Sequence, residues 1–138
     1  PKVYRILFVD QAGSHFAQLA AAIGRHNFAE TAEFTAATPG QSQPPSEALL
    51  AFLSEAGLPE EELETERLEG LEHDVQDFTV VIGLNGNYAD FVGKLPFHTS
   101  GLNWSIPPGD DFTGQYRELR NQITALVELL AGAEAAED

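Results

Sequence analysis

Residues 5–22 read RILFVDQAGSHFAQLAAA, and the change of pattern inside them decides the fold. The stretch Val3 to Val9 is β-branched and aromatic, its second half is almost continuously apolar, and Asp10 closes it. A run of that kind suits a strand covered on both faces, as in a parallel sheet. QAGS follows as a tight turn of small residues, with Ser14 as the expected N-cap of a helix. Phe16, Leu19, Ala20 and Ile23 then recur at helical spacing, and Gly24 is read as the stop. The chain therefore opens as strand, small loop and helix.

The same alternation continues. Glu33 to Ala37 (EFTAA) reads as a short second strand, and TPGQSQPP as a turn-rich loop. A helix begins at Pro45 or Ser46, carries Leu49, Leu50, Phe52 and Leu53 on one face, and stops at Gly57. In the acid-dense EEELETERLEGLEHD, the spacing of Leu63, Leu68 and Leu71 predicts one short helix lying on the domain. Phe78 to Leu84 (FTVVIGL) is a second buried strand, followed by the polar turn and short helix of NGNYADF. A weaker strand between Thr99 and Ile106 ends at Pro107, Pro108 and Gly109. Phe112 to Leu130 is a long amphipathic helix with Tyr116, Leu119, Ile123, Leu126, Val127 and Leu130 on one face, and AGAEAAED is read as a frayed acidic tail.

This pattern predicts a three-layer α/β/α sandwich around a four-stranded parallel sheet of order 2-1-3-4, formed by a single domain over residues 1–132 with a tail at 133–138. Ligand sites in such sheets lie beyond the carboxyl ends of the strands, here the loops after Val9, Leu84 and Ile106.

Composition narrows the function. The 138 residues include 22 acidic and 7 basic side chains, for a net charge of −15, and no cysteine. The charge has the wrong sign for a phosphate backbone or an anionic membrane surface. The absence of cysteine excludes disulfides, zinc–thiolate sites and thiol nucleophiles. No apolar run spans a bilayer and PKVYRILFVD does not resemble a signal peptide, so a cytoplasmic protein is expected. The acidity reads either as solubility in a saline cytoplasm or as attraction to a basic partner.

Taken together, these segments resemble the low-molecular-weight protein tyrosine phosphatases and the arsenate reductases built on the same fold. RILFVDQAGSHFAQLAAA resembles the family's opening strand, phosphate loop and first helix. TAATPGQSQPPSEALLAFLSEAGLP, FTVVIGLNGNY and LNWSIPPGDDFTGQYRELRNQITALVELL are similar to the later segments, in order and spacing. The family's chemistry uses a cysteine thiolate as nucleophile, loop amides and an arginine to hold the phosphoryl oxygens, and an aspartic acid to protonate the leaving group. By this resemblance the cysteine falls on Asp10, the arginine on Phe16, the serine that supports the thiolate on Ala17, and the acid on Pro108, with Gly109 after it.

No catalytic residue is assigned, and neither a cofactor nor a bound phosphate is expected. The degenerate loop comprises Asp10, Gln11, Ala12, Gly13, Ser14, His15 and Phe16, with Tyr88, Trp104, Asp110 and Asp111 at the rim of the cleft. The reading is a catalytically inactive domain that acts as a protein-binding or regulatory module, with the Asp10 carboxylate accepting bonds from loop and helix amides in place of an anion. The alternative is a metal-assisted hydrolase in which Asp10 and Asp110 or Asp111 hold a divalent ion. Aspartyl-phosphate chemistry of the haloacid-dehalogenase kind uses a second acid two residues on, where this chain has Ala12. His15 and His98 are read as loop or rim histidines, and Phe16, Tyr88, Trp104 and Phe112 as aromatic residues of the core or cleft.

Overall fold

Two strands are covered on both faces and hold the centre of the sheet. The structure is a computed structural model, and it describes residues 4–40, 44–71 and 74–137. Strand β1, Tyr4–Val9, pairs in parallel with β2, Ala32–Thr38, on one side and with β4, Val80–Leu84, on the other. Strand β3, Glu66–Arg67, adds to β2, and β5, Ser100–Trp104, adds to β4, giving the order β3-β2-β1-β4-β5. The four longer strands keep the expected order. The fifth, β3, is a correction to the four-stranded expectation, and a two-residue Glu-Arg strand carries no periodicity that a sequence pattern could reveal.

Alternation along β1 divides the core. Ile6 and Phe8 face a layer made by α1 (Phe16–Phe28), α2 (Glu47–Ala56) and α4 (Phe112–Glu137), where Leu19, Ile23, Leu49, Leu53, Leu119 and Ile123 are buried. Leu7 and Val9 face the opposite layer, thinner and built from α3 (Ala89–Val92) and short 3₁₀ turns, through Phe78, Leu68, Leu71, Tyr88 and Phe91. The sandwich has its three layers.

Several boundaries differ from expectation for identifiable reasons. Helix α1 runs through Gly24 to Phe28, because this glycine serves packing: a Cβ there would lie 2.5 Å from Cδ1 of Phe34. The segment 60–77 is not one helix. It folds as 3₁₀ turns at Glu60–Leu63, Leu68–Gly70 and Val75–Asp77 around β3, and residues 72 and 73 lie outside the described residues. Arg25 tethers this segment: its guanidinium donates to the carbonyl oxygens of Phe34, Glu62 and Glu64. Two backbone acceptors of the segment are thus tied through Arg25 to a third on β2, fixing a stretch whose own side chains repel one another. The stretch expected as a frayed tail continues α4 to Glu137. Ser46 caps α2 through the Leu49 amide, and Gly57 ends it at φ 77°, as the sequence suggests.

The strand-end loops are tied together. Asn85, at φ 54°, donates its side-chain amide to the Ile106 carbonyl and accepts from the Ile106 amide, clamping the end of β4 to the chain leaving β5.

Candidate functional site

The loop between β1 and α1 begins at Asp10, the residue that ends the central strand. Gln11 to Ser14 close on themselves in a turn, the Ser14 amide donating to the Gln11 carbonyl, with Gly13 at φ 84°. Gln11, Ala12 and Gly13 are exposed and Ser14 half-buried. The expected Ser14 cap is not made. The N-cap position of α1 is His15, whose side chain makes no capping bond, and the carboxylate that reaches the helix end is Asp10: its Oδ2 accepts from the Ala17 amide at 3.0 Å. The strand end points Asp10 straight along the helix entrance, where an acid interacts favourably with the unpaired amides and the helix dipole.

Asp10 is completely buried, and its Oδ1 meets no donor among the described residues. Burial raises its pKa from 3.8 to about 6, against the lowering effect of the Ala17 and Phe16 amides. The carboxylate thus meets the helix end through the Ala17 amide, and the turn amide of Ser14 is satisfied separately. Ala17, at the position the resemblance gives to the supporting serine, is also fully buried.

Phe16, at the position the resemblance gives to the arginine, is 9% exposed. Its ring lies 4.7 Å from that of His15, which in turn meets the edge of Phe112 at 5.3 Å. Phe52 continues the series to Phe112 at 5.8 Å and Tyr116 at 5.9 Å. A row of rings from α1, α2 and α4 thus packs beside the loop that follows β1. Trp104 packs on Phe8 at 6.0 Å in the same layer. Tyr88 does not join them. Its ring packs in the opposite layer, against the position of the Gly101 Cβ, and its amide donates to Asn103 Oδ1. The proposed aromatic lining is corrected accordingly: Phe16, Phe112 and Trp104 share a layer and Tyr88 is separated from them by the sheet.

His15 has a partner that its sequence neighbourhood does not indicate. Its Nε2 lies 2.7 Å from Oε1 of Gln115 on α4, and Gln115 Nε2 donates to the Gly109 carbonyl at 2.7 Å. Because the Gln115 amide nitrogen is committed to Gly109, its oxygen faces His15 as acceptor, and His15 carries its proton on Nε2. Gln115 is fully buried. It joins the loop between β1 and α1 to the loop that precedes α4. A signal for it exists: Gln115 stands three residues after Phe112 and four before Leu119, on the apolar face of the helix, and a polar group there needs a buried partner.

Asp110 and Asp111 are exposed. Asp111 caps the first turn of α4, its Oδ1 accepting from the Gly114 amide at 3.1 Å. No three acidic or histidine side chains among the described residues group closely enough to hold a metal ion, so the expected proximity of Asp110 and Asp111 to Asp10 is not realised as a ligand set. His98 pairs its ring with Phe97 at 5.0 Å on the surface. The pocket beside the loop, walled by His15, Gln18, Pro44, Pro45 and Ser46, has about 110 Å³, below the ~300 Å³ at which small-molecule sites begin. Among the described residues no helix is long and apolar enough to cross a membrane.

No family model matches the chain, and no curated protein matches it. Solved structures do. An arsenate reductase in its reduced state superposes with a TM-score of 0.73 at 18% identity, over 93% of this chain and 99% of its own. The low-molecular-weight protein tyrosine phosphatase of Streptococcus pyogenes gives 0.71 at 12% identity, over 98% of each chain. A protein tyrosine phosphatase from Entamoeba histolytica gives 0.71 at 14%, over 94% of this chain and 96% of its own. The chain has the fold of the low-molecular-weight phosphatases and arsenate reductases.

Proposed function

We propose that this chain is a non-catalytic protein on the phosphatase and arsenate reductase fold, in which the former phosphate loop is closed from within and the molecule acts as a cytoplasmic binding or regulatory module for a protein partner. The observation that carries the reading is the burial of Asp10, at the position the resemblance gives to the nucleophile, with its carboxylate accepting from the Ala17 amide at the helix entrance. A carboxylate and a phosphoryl oxygen at ~4 Å oppose each other by ~1 kcal/mol in water and several times more in a partly dry site. Phe16 in the arginine's place supplies no donor to offset this, and the chain has no cysteine to attack phosphorus or arsenic. The partner expected from the charge is a basic protein surface, meeting the strand-end loops or the carboxylates between Glu60 and Asp77.

The test is turnover of p-nitrophenyl phosphate and of arsenate, with dithiothreitol or thioredoxin as reductant, with and without Mg²⁺. No rate above the uncatalysed background is expected in any condition. Mg²⁺-dependent hydrolysis that disappears in Asp10→Asn would overturn the proposal and establish the metal-assisted alternative.

A further inference from the structure

The two edges of the sheet are built in opposite ways. One edge, β3, is two residues long and both are charged, Glu66 and Arg67. Short charged edges resist pairing with other strands. The other edge, β5, lies in residues 95–109, which contain no Asp, Glu, Lys or Arg and form the longest uncharged run of a chain with net charge −15. It has no proline within it, and its register with β4 runs unbroken from Ser100 to Trp104.

The hydrogen bonds define which groups face outward. The Ser100 amide donates to the Thr79 carbonyl and the Trp104 carbonyl accepts from the Asn85 amide, so the alternate residues Ser100, Leu102 and Trp104 direct their backbone groups toward β4. The amides and carbonyls of Gly101 and Asn103 therefore point away from the sheet, and among the described residues β5 has no neighbour on that side. Leu102, between them, is 38% exposed, and Phe97, on the loop entering β5, is 95% exposed.

We infer that β5 is a self-pairing edge: two copies of this chain associate through antiparallel β5 strands related by a twofold axis at Leu102. Two features select a second copy as the occupant. Gly101 and Asn103 lie symmetrically about Leu102, so a twofold axis there pairs Gly101 of each copy with Asn103 of the other and satisfies all four outward amide and carbonyl sets without any other sequence. A basic partner is drawn to the carboxylate-rich surface, whereas a second copy, itself at −15, can come close only where the surface carries no charge. The contact is small, and the dimer it forms is weak and reversible. It goes beyond the partner reading above and does not depend on it.

The salt dependence is distinctive. Repulsion between the acidic bodies is screened as the Debye length falls from ~10 Å at 0.1 M to ~3 Å at 1 M salt, so the dimer strengthens with salt. Sedimentation equilibrium between ~10 µM and ~0.5 mM chain, the range of a weak dimer, should show monomer–dimer exchange with a dissociation constant at least tenfold lower at 1 M than at 0.1 M NaCl. Leu102→Glu sets two carboxylates face to face on the axis and should leave a folded monomer, its fold checked by circular dichroism. In the unmodified chain, hydrogen exchange at the Gly101 and Asn103 amides should slow as concentration rises. A chain that stays monomeric throughout, a dimer insensitive to Leu102→Glu, or exchange at Gly101 and Asn103 independent of concentration would each overturn the inference.

Discussion

Nε2 of His15 and Oε1 of Gln115 lie 2.7 Å apart, a contact that spans 100 positions of sequence and joins the first loop of the fold to its last helix. With the bond from Gln115 to the Gly109 carbonyl it makes one buried side chain the tie between the β1–α1 loop and the loop that precedes α4. Separating the two loops would break both hydrogen bonds and expose the rings packed beside them.

Gln115→Met keeps most of the volume and removes both bonds. The Gly109 carbonyl and the His15 N–H are then left without their partner, and unfolding free energy should fall by about 1–3 kcal/mol. Gln115→Ala adds a cavity and should cost about 2–4 kcal/mol. Urea denaturation measures both; losses below ~0.5 kcal/mol, the level of an ordinary surface change, would show that the tie does not hold the loops.

Asp10 gives stability a pH dependence of unusual sign for a carboxylate. Its folded pKa of about 6 lies above the ordinary 3.8, so between these values the folded state holds a proton that the unfolded state has released. Stability from this group is then greatest below pH 3.8, declines as pH rises to about 6 and stays low above it. A displacement of about two units corresponds to roughly 3 kcal/mol. The expected observation is that the unfolding free energy of the native protein relative to Asp10→Asn rises by that order between pH 7 and pH 4. Parallel curves for the two proteins would contradict it.

Gly24→Ala should destabilise the chain even though alanine is the better helix former by ~1 kcal/mol. The new Cβ would meet the Phe34 ring at 2.5 Å, and overpacking of this kind costs about 1–3 kcal/mol. Adding Phe34→Leu to Gly24→Ala should recover part of the loss. A stabilised single variant would mean that α1 and β2 have more room between them than the structure shows.

What the sequence made legible follows physical lines. β1 and β4 stand out because central parallel strands are apolar on both faces, and their order follows from the handedness of the crossovers. Gly24 misleads because the same residue serves helix ends and close helix–strand contacts, and only the facing Phe34 distinguishes them. The leucines of 60–77 sit at near-helical spacing, yet Arg25 draws the backbone carbonyls of Glu62 and Glu64 to itself and the segment settles into 3₁₀ turns. At the site, the place of Asp10 was accessible through resemblance alone. Its role as helix cap, taken from Ser14, depended on how the strand end meets α1. Gln115 was hidden because a glutamine within a helix reads as solvent-facing until its register with Phe112 and Leu119 is considered.

The most direct measurement is a calorimetric titration of the wild-type protein with phosphate and with arsenate, accompanied by thermal melts in the same buffers. A ligand at 100 times its dissociation constant stabilises a folded protein by ~2.7 kcal/mol, so millimolar anion binding at the loop would be visible in both. With the Asp10 carboxylate buried at the helix entrance and the apolar Phe16 ring beside it, the expected result is no heat of binding and no rise in melting temperature. A saturable heat with a matching rise in melting temperature, lost when Asp10 is changed, would show that the loop still accepts an oxyanion.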